Sequence, residues 1–192
     1  MKYTLDPETG VVAGARQVPS PNCDDRPSDC RINAVIIHAI SLPPGEFGND
    51  YIERFFQNCL PRDAHPFFKK IHEVHVSAHF LIRRDGEVVQ FVPVFKRAWH
   101  AGPSSCMGRE AVNDFSVGIE LEGCDDVEFE ALQYNSLEML TRVLTDGIPS
   151  LSASNIYGHS DIAPGRKTDP GPYFDWPRYR LALGIENSNK HA

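Results

Sequence analysis

No stretch of this 192-residue chain approaches the roughly 18 consecutive apolar residues that a membrane span needs. The start, MKYTLDPETG, has no apolar run after Lys2, so no signal peptide is expected and the protein is read as cytoplasmic. The five cysteines, Cys23, Cys30, Cys59, Cys106 and Cys124, are odd in number and form no CxxC pair. That excludes an even, dense disulfide scaffold and suits reduced thiols. Basic charge is scarce: 19 Lys and Arg stand against 26 Asp and Glu, a net charge of −7. A nucleic-acid partner would normally show as a basic face, so the balance argues against that class while leaving room for a local basic pocket. There is no internal repeat and no break in composition. At this length one domain spanning 1–192 is expected, long enough to bury a core.

What is present reads as a mixed α/β domain. AVIIH, 34–38, is a short β-branched run, a buried strand with His38 at its end. SLPPGEFG follows as a loop. NDYIERFFQNCL reads as a helix capped by Asn49 or Asp50, with Ile52, Phe55 and Phe56 on one face. PRDAHPFFKK reads as another loop. HFLIRRDGEVVQFV, 79–92, is a hairpin around Asp85-Gly86, a dipeptide suited to positive φ. FSVGIELEG, 115–123, is a strand. EFEALQYNSLEMLTRVL, 128–144, spaces Phe129, Leu132, Leu137, Leu140 and Leu144 as a helix does, with Asp125 or Asp126 as cap and Gly147 just beyond its end. FDWPRYRLAL is a last helix with Asp175 as N-cap and Pro177 in its first turn. Residues 1–31 read as a peripheral extended arm and 184–192 as a peripheral, frayed tail around a core of about 18–183. The expected architecture is a central mixed β-sheet flanked by helices.

The chemistry concentrates in GHSDIAPGRKTDPG, 158–171, which has too few apolar residues to supply much core. Of the eight histidines, His72 and His191 read as ordinary surface or structural residues. His75 and His79 are four apart but do not share a helical face, so neither reads as a ligand. His38 stands where an apolar strand meets a Pro/Gly loop, a frequent place for functional side chains. His159 and Asp169 sit in the 158–171 stretch, stiffened by Pro164 and Pro170. Two imidazoles and a carboxylate, with a fourth position left to water, make a catalytic zinc set. No HExxH accompanies them, and a loop held by ordinary hydrogen bonds accounts for the spacing equally well. Glu120 and Glu122 share a strand face. A carboxylate buried there without a partner is costly, which makes one of them a candidate general base. Two exposed carboxylates on an edge strand is the alternative. Lys167 beside a metal suits a developing oxyanion, and a surface lysine is the plainer alternative.

VIIHAISLPPGEFG, SAHFLIRRDGEVVQFVP, RAWHAG, NDFSVGIELEG and GHSDIAPGRKTDPG occur in that order. Together they resemble the zinc N-acetylmuramoyl-L-alanine amidases, and within them the cytoplasmic branch acting on 1,6-anhydro-muropeptides. The resemblance runs from about Val18 to Tyr179. It implies a mixed sheet with packed helices, as also found in peptidoglycan recognition proteins. By matching motifs it assigns zinc to His38, His159 and Asp169, the general-base role to Glu120 and the oxyanion role to Lys167. The tyrosine frequent in the wider family two residues before the strand Phe is replaced by Ala78, so a Tyr-dependent route is not available and Glu120 fills the gap. Ala39 stands where the branch usually has Asn after the first ligand, and Ala111 where some members have Arg. Substrate contacts are therefore expected from Arg109, Trp99 and His100, with Ala39 at the wall; core packing is the alternative for Trp99. The implied substrate is a small anhydro-muropeptide cut at the lactyl–L-Ala amide, by a protein expected to be a monomer. A non-catalytic wall-fragment binder of this fold typically lacks a zinc ligand, and all three are here. An enzyme acting on intact wall would favour a signal peptide, a wall-binding module or a basic surface. The insertion between the first strand and the hairpin, SLPPGEFGNDYIERFFQN with PRDAHPFF, is long enough to cover the pocket.

Overall fold

In the computed structural model, which describes residues 3–185, the chain begins with four short strands, β1 (Thr4–Leu5), β2 (Val12–Ala13), β3 (Arg16–Gln17) and β4 (Cys23–Asp25). The β-branched run then gives β5 (Ala34–Ile40), followed by the helices α1 (Tyr51–Phe56) and α2 (Phe68–Ile71). The strands β6 (Phe80–Ile82), β7 (Val88–Gln90), β8 (Lys96–Ala98), β9 (Ser105–Cys106), β10 (Arg109–Glu110) and β11 (Ser116–Glu122) come next. A long helix α3 (Ala131–Gly147), the strand β12 (Ile156–Gly158) and the helices α4 (His159–Ile162) and α5 (Trp176–Ala182) complete the order. The main sheet runs β12-β5-β11-β6-β7-β3. It is parallel throughout except for the β6–β7 hairpin, and so is mixed as expected.

Alternation along the two central strands decides which face does what. Val35 and Ile37 of β5 and Val117, Ile119 and Leu121 of β11 join one apolar cluster with Leu137, Leu140 and Leu144 of α3. The other face of β11 carries Ser116, Gly118, Glu120 and Glu122, and every residue of the strand is buried. Residues two apart on a strand share a face, so the small and acidic positions are segregated from the α3 side. Glu120 and Glu122 therefore lie on a covered central strand, not on an exposed edge.

Several expectations are revised. The arm at 1–31 is extended, but it is not merely peripheral: β3 adds a parallel edge to β7, β4 pairs with β8, and Tyr3 and Val12 enter the core. Polar composition hid this, because the pairing uses main-chain groups and the apolar anchors are scattered singly along the arm. PRDAHPFFKK contains α2, whose Phe68 is buried in the cluster that also holds Phe56 and Phe91. Helix α3 is capped by Glu130, not Asp125 or Asp126: the Gln133 side chain accepts from the Glu130 N–H at 3.0 Å. Leu132 is exposed, because the buried stripe runs Gln133, Leu137, Leu140, Leu144, one position round the helix from it. At the hairpin only Gly86 takes positive φ (+85°); Asp85 does not. The tail ENSNKHA, with His191, lies outside the described residues.

The insertion after β5 is anchored, not loose. Glu53 of α1 pairs with Arg16 at 2.7 Å and Arg83 at 3.1 Å. Buried Glu122 accepts from Arg83 at 3.2 Å and from the Gly48 N–H at 2.7 Å, which ties the loop before α1 to the end of β11. No helix among the described residues is long and apolar enough to cross a membrane.

Candidate metal centre

Three adjacent strands deliver the site. His38 lies on β5 and Glu120 stands opposite it on β11. β12 flanks β5 on the other side and runs directly into α4, whose first residue is His159. The stretch read as a loop therefore starts with a short helix. Gly158 allows a close approach there: a Cβ at that position would sit 3.0 Å from Pro170 Cδ. The Ser160 N–H donates to the Asp169 carbonyl at 2.9 Å and folds the segment back on itself. That return brings the Asp169 carboxylate to the two histidines.

His38 Nδ1 and His159 Nδ1 are 2.9 Å apart. Asp169 Oδ2 lies 3.0 Å from His159 Nδ1 and 3.3 Å from His38 Nδ1. Ligand atoms about 2.0–2.1 Å from a tetrahedral zinc are roughly 3.3 Å from one another, so these three atoms fit a common zinc ion with little adjustment. The outer nitrogens have partners as well. His159 Nε2 is 3.1 Å from the Ala101 carbonyl, which can only accept, so its proton belongs there and Nδ1 is bare. Arg166 donates to the same carbonyl at 2.6 Å and to that of Pro103 at 2.7 Å, clamping the loop. His38 Nε2 is 2.9 Å from His100 Nδ1.

Electrostatics agree with the donor set. Burial pushes the His38 imidazole down to about 4, so it is neutral near pH 7, as a ligand must be. Burial pushes the Asp169 carboxyl up, but the His159 and His38 imidazoles, 3.0 and 3.3 Å away, outweigh this, and the net direction is down. Glu120 moves the other way. Burial raises its carboxyl well above the ordinary range, the Asp169 charge adds to this, and the Lys167 charge opposes it. Among the described residues, Glu120 Oε2 is a buried oxygen without a hydrogen-bond partner. A cation among His38, His159 and Asp169 would offset the cost of both carboxylates.

These groups line one cavity of about 190 Å³. His38, Glu120, His159 and Asp169 line it together with the exposed Lys167. Ala39, Ile40, Phe55, Phe56, Val76 and Ser77 form the walls. The insertion thus contributes a packed aromatic wall through α1. His100 lines the cavity and is largely buried, its Nδ1 2.9 Å from His38 Nε2. Trp99 and Arg109 are not among the lining residues. Trp99 is half-buried, its main chain paired with Ser77 and its indole set against Asp24. Arg109 is exposed, 4.0 Å over the Phe115 ring and 3.3 Å from Cys30 Sγ. Sequence reasoning missed Arg166 and Ser116, because neither stands out from an ordinary surface arginine or strand serine.

The profile of the N-acetylmuramoyl-L-alanine amidase family matches residues 28–172. The chain belongs to that family. This amidase is 54% identical over 181 residues to the 1,6-anhydro-N-acetylmuramyl-L-alanine amidase AmpD of Escherichia coli K12, covering 94% of this chain and 98% of the relative. A crystal structure of a selenomethionine AmpD derivative superposes with a TM-score of 0.89 at 52% identity, covering 93% of this chain and 98% of that one. The amidase AmiD of E. coli, solved with its substrate anhydro-N-acetylmuramic acid-L-Ala-D-γ-Glu-L-Lys, superposes with a TM-score of 0.59 at 26% identity. That match covers 83% of this chain and 61% of AmiD.

Proposed function

We propose that this amidase cuts the amide bond between the lactyl group of 1,6-anhydro-N-acetylmuramic acid and the L-Ala of its stem peptide, with zinc held by His38, His159 and Asp169. The observation that carries the reading is the convergence of two Nδ1 atoms and one Oδ2 atom within 3.3 Å of each other, beside an unpartnered Glu120 oxygen in the same cavity. The names of the relatives and the substrate bound to AmiD supply the anhydro-muropeptide. Zinc bound there supplies a Lewis acid that acidifies water and keeps one net positive charge, since its ligands are two neutral imidazoles and one carboxylate.

Glu120 takes the proton from the water that attacks the lactyl carbonyl and returns it to the departing L-Ala amine. A carboxyl raised by burial is suited to holding that proton between the two steps. Lys167, which lines the cavity, faces the oxyanion that develops on the carbonyl oxygen. Ala39 lines the wall where a side-chain amide would otherwise offer a hydrogen bond, so that part of the substrate is met by shape. All these groups come from one chain, which supports action as a monomer. A small soluble muropeptide and the acidic chain support a cytoplasmic recycling role. The test is incubation with an anhydro-muropeptide, with zinc and with a chelator, followed by detection of free peptide bearing an N-terminal L-Ala.

A further inference from the structure

The face of β11 that carries Glu120 also carries Ser116 and Gly118. A Cβ at Gly118 would lie 2.5 Å from Cγ and 2.6 Å from Nδ1 of His100. The glycine thus leaves a slot, and the buried His100 imidazole fills it. Both nitrogens of that ring have partners. Nδ1 is 2.9 Å from His38 Nε2, and Nε2 is 3.2 Å from Ser116 Oγ. Ser116 Oγ is in turn 2.7 Å from the Val112 carbonyl.

Proton directions along this chain follow from its far end. A carbonyl only accepts, so the Ser116 O–H donates to Val112. With its proton committed there, Oγ accepts from His100, and Nε2 of His100 is the protonated nitrogen. The Nδ1 of a singly protonated His100 is then bare, and His38 Nε2 must donate to it. Read in this direction, the chain leaves an unprotonated Nδ1 on His38, 2.9 Å from His159 Nδ1 and 3.3 Å from the acceptor Asp169 Oδ2, so three lone pairs face one another in an arrangement that a cation would complete. His159 reaches the same state directly through the Ala101 carbonyl.

We propose that Ser116 and His100 are positioning residues that fix His38 in the tautomer with a bare Nδ1, so that the folded chain selects the ligating nitrogen before metal arrives. The inference rests on the reading of His38 as a zinc ligand. Partners that orient metal-bound histidines typically set metal affinity by 10- to 100-fold.

Long-range ¹H–¹⁵N NMR of metal-free protein labelled at histidine reads the tautomers directly. The expected result is a proton on Nε2 of both His38 and His100. Ser116→Ala, which leaves the His100 ring in its slot, should mix the tautomers of both rings. It should also weaken zinc about 10- to 100-fold in chelator competition. His100→Leu should lose zinc affinity, while His100→Asn, whose amide oxygen replaces Nδ1 as acceptor, should restore it, with circular dichroism confirming each fold. A proton on His38 Nδ1 in the metal-free protein would overturn the proposal. So would a Ser116→Ala protein with unchanged tautomers and unchanged zinc affinity. A wild type that bound no zinc would overturn the reading of the site, while the metal-free spectrum would still decide the hydrogen-bond relay.

Discussion

Replacing Glu120 by Gln should damage activity and improve stability. The side chain is only 8% exposed, its Oε2 has no partner among the described residues, and burial holds its carboxyl well above the ordinary value of 4.5. Gln keeps the shape and removes the base. A positioned general base contributes about 10²–10⁴-fold, so turnover should fall by that factor, equivalent to about 3–5 kcal/mol of barrier. For stability the sign runs oppositely. A carboxyl raised in the folded state binds more protons there than in the unfolded chain, so its contribution declines as pH rises past 4.5. Gln removes that decline. Metal-free Glu120→Gln should be at least about 1 kcal/mol more stable than wild type at pH 7.5, or about 2–4 °C in Tm, and the gain should vanish near pH 4. Thermal melts at both pH values, peptide release by chromatography and zinc content measure the three quantities. Wild-type turnover would remove Glu120 from the base role. A variant less stable than wild type at pH 7.5 would refute the argument from an unpartnered buried carboxylate.

Asp169→Ala removes one of three ligand atoms and should abolish stoichiometric zinc in dialysed protein; unchanged metal content by elemental analysis would end its assignment. His38 is held near 4 against an ordinary 6.5, so the unfolded chain binds the extra proton first. Metal-free stability should therefore fall as pH drops from 6.5 to 4, by about 3 kcal/mol from this group, with urea melts as the readout. Asp169 acts in a lower window, since a depressed carboxylate loses its contribution only below its ordinary 3.8. Glu122→Ala should cost about 1–3 kcal/mol, because it takes from half-buried Arg83 one of its two carboxylate partners, leaving Glu53, and frees the Gly48 amide, while zinc affinity stays near wild type. A loss under 1 kcal/mol in urea would show that this pair does not anchor the insertion.

The main strands were legible because they are local signals. The β-branched run before His38, the alternation in FSVGIELEG and the DG turn each show in fewer than ten residues. The convergence of His38, His159 and Asp169 came from motif resemblance, since spacing alone left an ordinary loop equally open. What was not legible is long-range. β3 reaches β7 through main-chain pairing that composition does not reveal. Glu130 replaced the aspartates as cap because Gln133, a buried polar residue, reaches back to its amide. The two roles of RAWHAG separated only in three dimensions: Trp99 turns to Asp24 and Ser77, and His100 drops into the slot left by Gly118.

The central claim is a zinc-dependent amidase, and the most direct measurement is peptide release from an anhydro-muropeptide by protein stripped of metal, then reloaded with zinc. The account predicts no release from the stripped protein and recovery of free peptide with an N-terminal L-Ala on reloading. Zinc bound at one equivalent with no release would contradict it and would make this cavity a binding site.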